Sequence, residues 1–491
     1  MSKGLQNILS GRLLARNVIW DLVGATAPLL VGLVAIPLLI AGMGKERFGL
    51  LTIIWMGVGY FSLFDLGLGR ALTKLVADRL GDEQADDFGP LLWTALFLLF
   101  LLGTTGSIAV MLSAKPLIQY VLNVDVQLHT EAIRALHMLA MSLPIVVMTT
   151  ALVGILQAHQ RFAAITSVRI PLGILTFAGP LTTLQFSPSL VWATAALVAA
   201  RTLALAAYFA VAASVRVELK HPIRPRKSYM GPLLRFGGWL TVISIISPLM
   251  VYFDRFFIGA ILSMTAVAYY VTPYEVLSRI QVIPQSFMSV LFPAMATIIA
   301  TDHTRLPRLY RQSSLILLLL VLPVASGFFL LGPEGLQVWL GDDFRIAATP
   351  VVHWLSLGIL VNTLTRPAFW TLQSAGRPDL VAKTHMAEII PYTFCLWFFT
   401  QSFGIAGTAA AWFMRVLADN IILNELIRQR LPELGGIVWR SHIKILGILV
   451  GFSLAWIIEP LFIRFFLLAI VIIGSSAFCW PLFIKLYRTA R

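Results

Sequence analysis

Nine charged side chains interrupt long apolar stretches of this sequence: Arg201, Asp254, Arg255, Glu275, Arg279, Arg366, Glu388, Arg415 and Asp419. A charge at mid-bilayer costs about 2.5–3.5 kcal/mol even on the gentlest insertion scale. Nine of them facing lipid would outweigh the ~5–15 kcal/mol that keeps a typical protein folded, so they must line water or neutralise one another. Glu275 and Arg279 stand four apart, as do Arg415 and Asp419, and each couple is placed to form an ion pair along one helix face. That leaves Arg201, Arg255 and Arg366 against Asp254 and Glu388. The planar fork of an arginine holds phosphate through two charge-assisted hydrogen bonds, which makes these three, with Arg279, candidate ligands for a phosphate-bearing substrate. A structural alternative stands beside each: Arg201 could pair with an acid on a neighbouring helix, and Arg366 could extend to the membrane surface.

The acids suit a second task. Asp254, Glu275 or Glu388, held at bilayer depth, could take up and release H⁺ or Na⁺ to drive a cycle. Asp254 and Arg255 are adjacent, point about 100° apart on a helix and need different partners. Asp21 and Asp65 fall at helix ends beside Arg16 and Arg70, where anchoring and gating are equally open to them. Other chemistry finds no residues. The eight histidines have no metal-ligand spacing, no Walker motif, nucleophile elbow or Cys-x-x-Cys is present, and Gly67-x-Gly69 lacks the third glycine of a nucleotide loop. Cys395 and Cys479 lie in apolar runs and read as packing residues.

The elements that must position these charges are membrane helices. Of 491 residues, 58% are hydrophobic and 12% charged, with mean hydropathy +0.85, whereas a soluble domain carries about 25% charged residues. Apolar runs of roughly 20 residues, the length that crosses a ~30 Å hydrocarbon core, recur throughout. They lack the alternation of barrel strands, so the fold class is all-α. Fourteen spans are expected, near 17–41, 48–69, 89–113, 135–157, 163–183, 189–213, 237–262, 266–299, 313–332, 350–374, 380–401, 405–427, 443–463 and 464–484. The N-terminus lacks a small-residue cleavage site and runs into a full-length span, so no removable signal peptide is expected.

With the N-terminus inside, the inner segments hold 26 lysines and arginines and the outer ones six. By the positive-inside rule both termini are then cytoplasmic. The same topology accounts for the net charge of +14 without nucleic acid. The basic stretch 214–236 separates a helical bundle at 1–213 from a second at 237–428, and 429–491 adds a helix pair. Pro28-Leu29-Leu30-Val31 corresponds to Pro248-Leu249-Met250-Val251, a faint sign of the paired bundles that many transporters use. Prolines and glycines within the spans allow kinks. The outer loops near 114–134 and 333–349 are too short for a catalytic domain.

The segments FGLLTIIWMGVGYFSLFDLGLGRALTKLVA (48–77) and VYFDRFFIGAILSMTAVAYYVTPYEVLSRIQVIPQSFMSVLFPAMA (251–296) carry a resemblance, with GILQAHQRFAA (154–164), FWTLQSAGRPDL (369–380) and GIAGTAAAW (404–412) as further echoes. Together they resemble the polysaccharide transporter family, the bacterial lipid-linked oligosaccharide flippases of O-antigen and related pathways. That family belongs to the multidrug, oligosaccharidyl-lipid and polysaccharide exporter superfamily. The resemblance implies two six-helix bundles around a central cavity that opens alternately to each side. It implies translocation of a polyprenyl-diphosphate-linked oligosaccharide to the outer leaflet of the bacterial cytoplasmic membrane, and no enzyme activity. H⁺ or Na⁺ would be the coupling ion, in place of a cofactor. The implied partners are the lipid-linked glycan, membrane lipids, and polysaccharide polymerase and chain-length machinery. The family's Asp-Arg pair falls on Asp254 and Arg255, and its DLGLG turn on Asp65, Gly67 and Gly69. Two other readings compete: a cation-coupled multidrug exporter of the same superfamily, which calls for an acidic cavity, and a membrane-embedded glycan polymerase or ligase, which calls for a larger outer domain.

Overall fold

The computed structural model describes residues 11–61, 65–80, 88–231, 233, 250, 252–301, 303–458 and 460–489; the side chains of 11–26, 479–489 and a few others lie outside that description. All the regular structure among the described residues is helical. In lipid a helix satisfies its own backbone polar groups, and no water is there to do it instead. The chain clusters into two compact units, Met1–Ala268 and Tyr269–Arg491.

In the first unit, α1 (Gly11–Met43), α2 (Lys45–Phe61), α3 (Leu68–Leu80), α4 (Phe88–Pro116), α5 (His129–Ala158), α6 (Phe162–Thr183) and α7 (Leu190–Val215) are followed by α8 (252–261). α5 is the hub: α4 and α7 pack along it, and α3 crosses it. The crossing is close because Gly69 and Gly154 face each other, so a Cβ on Gly154 would sit 2.8 Å from the Gly69 carbonyl oxygen. Small residues are what allow such an approach in membranes. At the other end of α5, Glu131 pairs with Arg47 at 3.0 Å and accepts the Leu190 N–H, joining α2, α5 and α7. Ser189 caps α7 by accepting from the Val191 N–H. The basic stretch after α7 lies on α4, where Trp93 Nε1 donates to the Glu218 carbonyl and the Arg226 N–H donates to the Thr94 hydroxyl. Arg216 stacks on Phe88 at 3.7 Å. Pro248, Leu249 and Val251 of the tetrapeptide match, and most of the first half of the seventh expected span, lie outside the described residues.

The second unit holds α9 (Met264–Ser278, which begins just before the boundary), α10 (Val282–Thr301), α11 (Leu306–Leu340), α12 (Asp342–Ser374), α13 (Pro378–Arg430), α14 (Gly435–Trp456) and α15 (Leu461–Thr489). α12 is packed between α11 and α13, and α15 lies along α11. α13 is two antiparallel arms. The chain reverses at Gly404, whose φ of 61° a side chain would resist, and a Cβ on Gly407 would run into the Phe399 carbonyl. The Thr400 and Thr408 hydroxyls meet at 2.8 Å inside the reversal. Arg464, at the joint between α14 and α15, pairs with Glu334 of α11 at 3.0 Å, which fixes the last pair of helices to this unit.

Nine helices among the described residues are long and apolar enough to cross a bilayer. The two arms of α13 form one of the nine, since no non-helical residue but Gly404 parts them. α2, at 17 residues, is shorter than the roughly 20 that a bilayer core calls for. Large apolar side chains such as Leu112, Ile390 and Phe462 stay 74–80% exposed. Burial of these in a protein core is impossible where they stand, and contact with lipid is the environment that suits them.

Candidate functional site

Arg201 stands near the middle of α7, about 16 Å along the axis from its start. Its side chain lines a cavity of about 280 Å³ in the first unit, together with Asp65, Arg70, Thr150 and Gln157. Among the described residues it has no hydrogen bond and no ion pair. Four elements build the walls. α7 supplies Arg201, α3 with its leading turn supplies Asp65, Arg70 and Thr73, α5 supplies Thr149, Thr150 and Gln157, and α6 supplies Leu172. The hydroxyls of Thr73, Thr149 and Thr150 all donate to carbonyls of their own helices, at 2.7–2.9 Å. With these hydroxyls engaged by the backbone, the arginines and Gln157 supply the side-chain N–H donors of the lining. Formal charges in this cavity are two positive against one negative.

Asp65 owes its place to the backbone. Leu66 and Gly67 both have positive φ, 47° and 71°, and this tight turn aims the Gly67 and Gly69 N–H groups at the carboxylate, at 2.9 and 3.3 Å. Asp65 is thus the cap of α3, and it is 8% exposed. The anchoring role left open by the sequence is filled. Replacing Asp65 with Ala should cost about 1–2 kcal/mol, read as a fall of a few degrees in the thermal midpoint of the protein in detergent. Asp65→Asn, which keeps an acceptor, should restore most of it. Loss of transport in Asp65→Asn at unchanged stability would show that the charge itself has a gating role.

Asp254 and Arg255 are buried in α8, at 0% and 2% exposure. The Arg255 N–H donates to Asp254 Oδ1 at 2.7 Å, and the guanidinium lies 4.9 Å from the centre of the Tyr252 ring. The motif pair is therefore packed in protein. Asp21 lies on α1, but its side chain falls outside the described residues.

The second unit gathers most of the other charges. Glu275 and Arg279 form the expected pair at 3.6 Å. The expected Arg415–Asp419 pair is corrected: Arg415 instead reaches Glu388 at 3.6 Å, and Asp419 reaches His385 at 3.5 Å. The reason is the reversal at Gly404. Glu388 lies 16 residues before it and Asp419 15 after it, so the two arms bring both acids to one level, and cross-arm partners displace the same-helix neighbour. Arg366 of α12 donates to Gln281 Oε1 at 3.5 Å and is close enough to Asp419 and Arg415 to interact with both. Glu388 is 7% exposed, and neither of its carboxylate oxygens accepts a hydrogen bond among the described residues. Beside this cluster runs a ladder that the sequence reading missed: Tyr310 donates to Asn424, Asn424 to the Asn420 carbonyl, and Asn420 to Thr365. Its signal was Asn420 and Asn424, four apart in an apolar helix.

The echo segments turn out to shape the chain. In SAGRPD, Gly376 takes φ 71° and Pro378 begins α13. Arg377 and Asp379 join in a two-bond pair at 3.0 and 3.1 Å, which holds the exposed Asp379 carboxyl below its usual range. The residues described hold no cluster of three or more histidine, cysteine or acidic side chains suited to a metal ion.

Known proteins fit this arrangement. The family model described as polysaccharide biosynthesis protein matches residues 14–299, more than half of the chain. A Shigella flexneri protein named "Putative O-antigen transporter" is 29% identical over 415 residues, 84% of this chain and 97% of its own length. Among solved structures, the lipid II flippase MurJ in an inward closed conformation superposes with TM-score 0.70 at 12% identity, covering 95% of this chain and 100% of the other. An inward-facing multidrug resistance MATE family transporter of the MOP superfamily gives 0.68 at 14% identity, covering 84% and 99%. At such identities these two likenesses establish the fold, that of a polytopic helical membrane protein.

Proposed function

We propose, because this chain belongs to the polysaccharide biosynthesis protein family, that it is a transporter and not an enzyme, and that it flips a polyprenyl-diphosphate-linked oligosaccharide from the cytoplasmic to the outer leaflet of the bacterial inner membrane. The observation that carries this reading is Arg201, a guanidinium at bilayer depth that faces a polar cavity and has no counter-ion among the described residues. A diphosphate would supply one. The net positive charge of the cavity suits an anionic substrate and disfavours the cationic compounds of a drug exporter. Relatives named as an O-antigen transporter and a lipid II flippase support the same substrate class.

In this reading Arg201 is the leading diphosphate ligand, and Arg255, Arg279 and Arg366 are secondary contacts, Arg255 on its depth and its place in the family's Asp-Arg pair and the other two on their depth. Glu388 is the acid assigned to H⁺ or Na⁺ coupling, with Asp254 and Glu275 as the other candidates. Translocation proceeds by alternating access across fourteen spans, and both termini are cytoplasmic. The protein hands its glycan to polymerase and chain-length machinery. Deleting the protein and finding the leaflet on which lipid-linked glycan accumulates tests the whole proposal. Accumulation on the cytoplasmic side is expected; unchanged delivery to the outer leaflet would overturn it.

A further inference from the structure

A second cavity, of about 540 Å³, lies in the second unit between the start of α11 and the start of α14. Four cations line it: Arg308 and Arg311 on α11, Arg440 and Lys444 on α14. No acid lines it, and among the described residues none of the four forms an ion pair. Lys444 is close enough to Arg311 and Arg440 to be repelled by both. Each couple stands three or four residues apart on one helix face, where like charges destabilise a helix. Arg308 and Arg311 also occupy the first two turns of α11, the end at which the helix dipole opposes positive charge and favours an anion. These repulsions converge on one cavity, and an anion seated there relieves all of them.

The cavity changes character along its length. The stripes Arg308, Arg311, Leu315, Leu318 and Ile437, Arg440, Lys444 follow helical spacing, so two helix faces form facing walls. On α11 the axis advances about 15 Å from Arg308 to Leu318, from the two arginines to Leu315, Leu318 and the buried Leu364 of α12, while on α14 Ile437 comes first and Arg440 and Lys444 follow. Four clustered cations with aliphatic side chains beside and beyond them match a molecule that carries a phosphate and a hydrocarbon chain. Basic pockets between spans recognise lipid headgroups in this way.

We propose that this cavity binds the phosphodiester headgroup of an anionic phospholipid, with the four cations around the phosphate and the first carbons of an acyl chain along Leu315 and Leu318. The site is separate from the Arg201 cavity, and the inference does not rest on the flippase reading, because lipid binding is measured without transport.

The test uses the full-length protein purified in detergent, with phosphatidylglycerol, cardiolipin, phosphatidylcholine and undecaprenyl diphosphate as probes, read by native mass spectrometry and thermal midpoint. Phosphatidylglycerol and cardiolipin should remain bound and raise the midpoint, and phosphatidylcholine should do neither. Replacing all four cations with Gln should weaken anionic-lipid binding at least tenfold. If that variant does not fold, the pairs Arg308→Gln with Arg311→Gln, and Arg440→Gln with Lys444→Gln, should each weaken it about threefold or more. Undiminished phosphatidylglycerol and cardiolipin binding by the folded variants would overturn the proposal, as would equal retention of phosphatidylcholine. Binding of undecaprenyl diphosphate alone would assign the pocket to the substrate and overturn it too.

Discussion

Arg201→Met should abolish glycan translocation while leaving the substrate-free protein as stable as before, or slightly more so. The two halves of this outcome have separate causes. A guanidinium that grips a diphosphate with two charge-assisted hydrogen bonds contributes about 1.5–3 kcal/mol through each. Losing both is a drop of roughly 100-fold or more in binding at ~1.4 kcal/mol per tenfold. Against that, Arg201 has no counter-ion among the described residues, and holding an uncompensated charge in a cavity at bilayer depth is a standing cost. Methionine removes the cost and keeps much of the volume. Arg201→Lys should fall between, because the ammonium keeps the charge and loses the fork. Outer-leaflet glycan, measured with a surface-accessible lectin or oxidant, gives the first readout and thermal unfolding in detergent gives the second. A variant that loses stability and transport together would make Arg201 a structural residue, and one that transports normally would remove it from the site.

The same residue shows what a sequence makes legible in a membrane chain. Depth is readable, because apolar runs have a length that the bilayer fixes, and so Arg201 could be placed near mid-span before any fold was known. Partners are not readable, because they come from other helices. Arg415 and Asp419 illustrate the limit: spacing of four identifies same-helix neighbours, yet the preferred partners arrive from the opposite arm of α13. The signal for that arrangement was present in Gly404, whose reversal sets Glu388 level with Asp419. The segments that carried the family resemblance behave alike. DLGLG is a helix cap, SAGRPD a helix break and GIAGT a hairpin reversal. Their glycines mark positions where the backbone turns, which is why they disclose the fold more clearly than the substrate. Thr149 and Thr150 escaped notice because a threonine in an apolar helix is ordinarily spent on its own backbone, as both of these are; only the folded structure shows that they also line the cavity.

Charge pairing inside α13 leads to the largest expected effect on stability. Arg415 and Glu388 are only 12% and 7% exposed, and the guanidinium also lies 5.4 Å from the centre of the Tyr392 ring. Removing one member of a buried pair leaves the other charged and unsolvated, a loss of about 3–5 kcal/mol, whereas removing both can be nearly neutral. Arg415→Met should therefore lower the thermal midpoint by on the order of 6–20 °C, taking the roughly 2–4 °C per kcal/mol that applies to a domain the size of the second unit. The double variant Arg415→Met with Glu388→Gln should recover most of that loss, and Glu388→Gln alone should cost less than Arg415→Met because Arg415 keeps Asp419 nearby on its own helix. A cycle of the two singles and the double isolates the coupling, and additive changes would show that the two side chains do not act as a pair. Transport separates the roles further. If Glu388 carries the coupling ion, the stable double variant should still be unable to drive translocation against a gradient, so restored folding without restored transport distinguishes an acid that works in the cycle from one that only neutralises its neighbour.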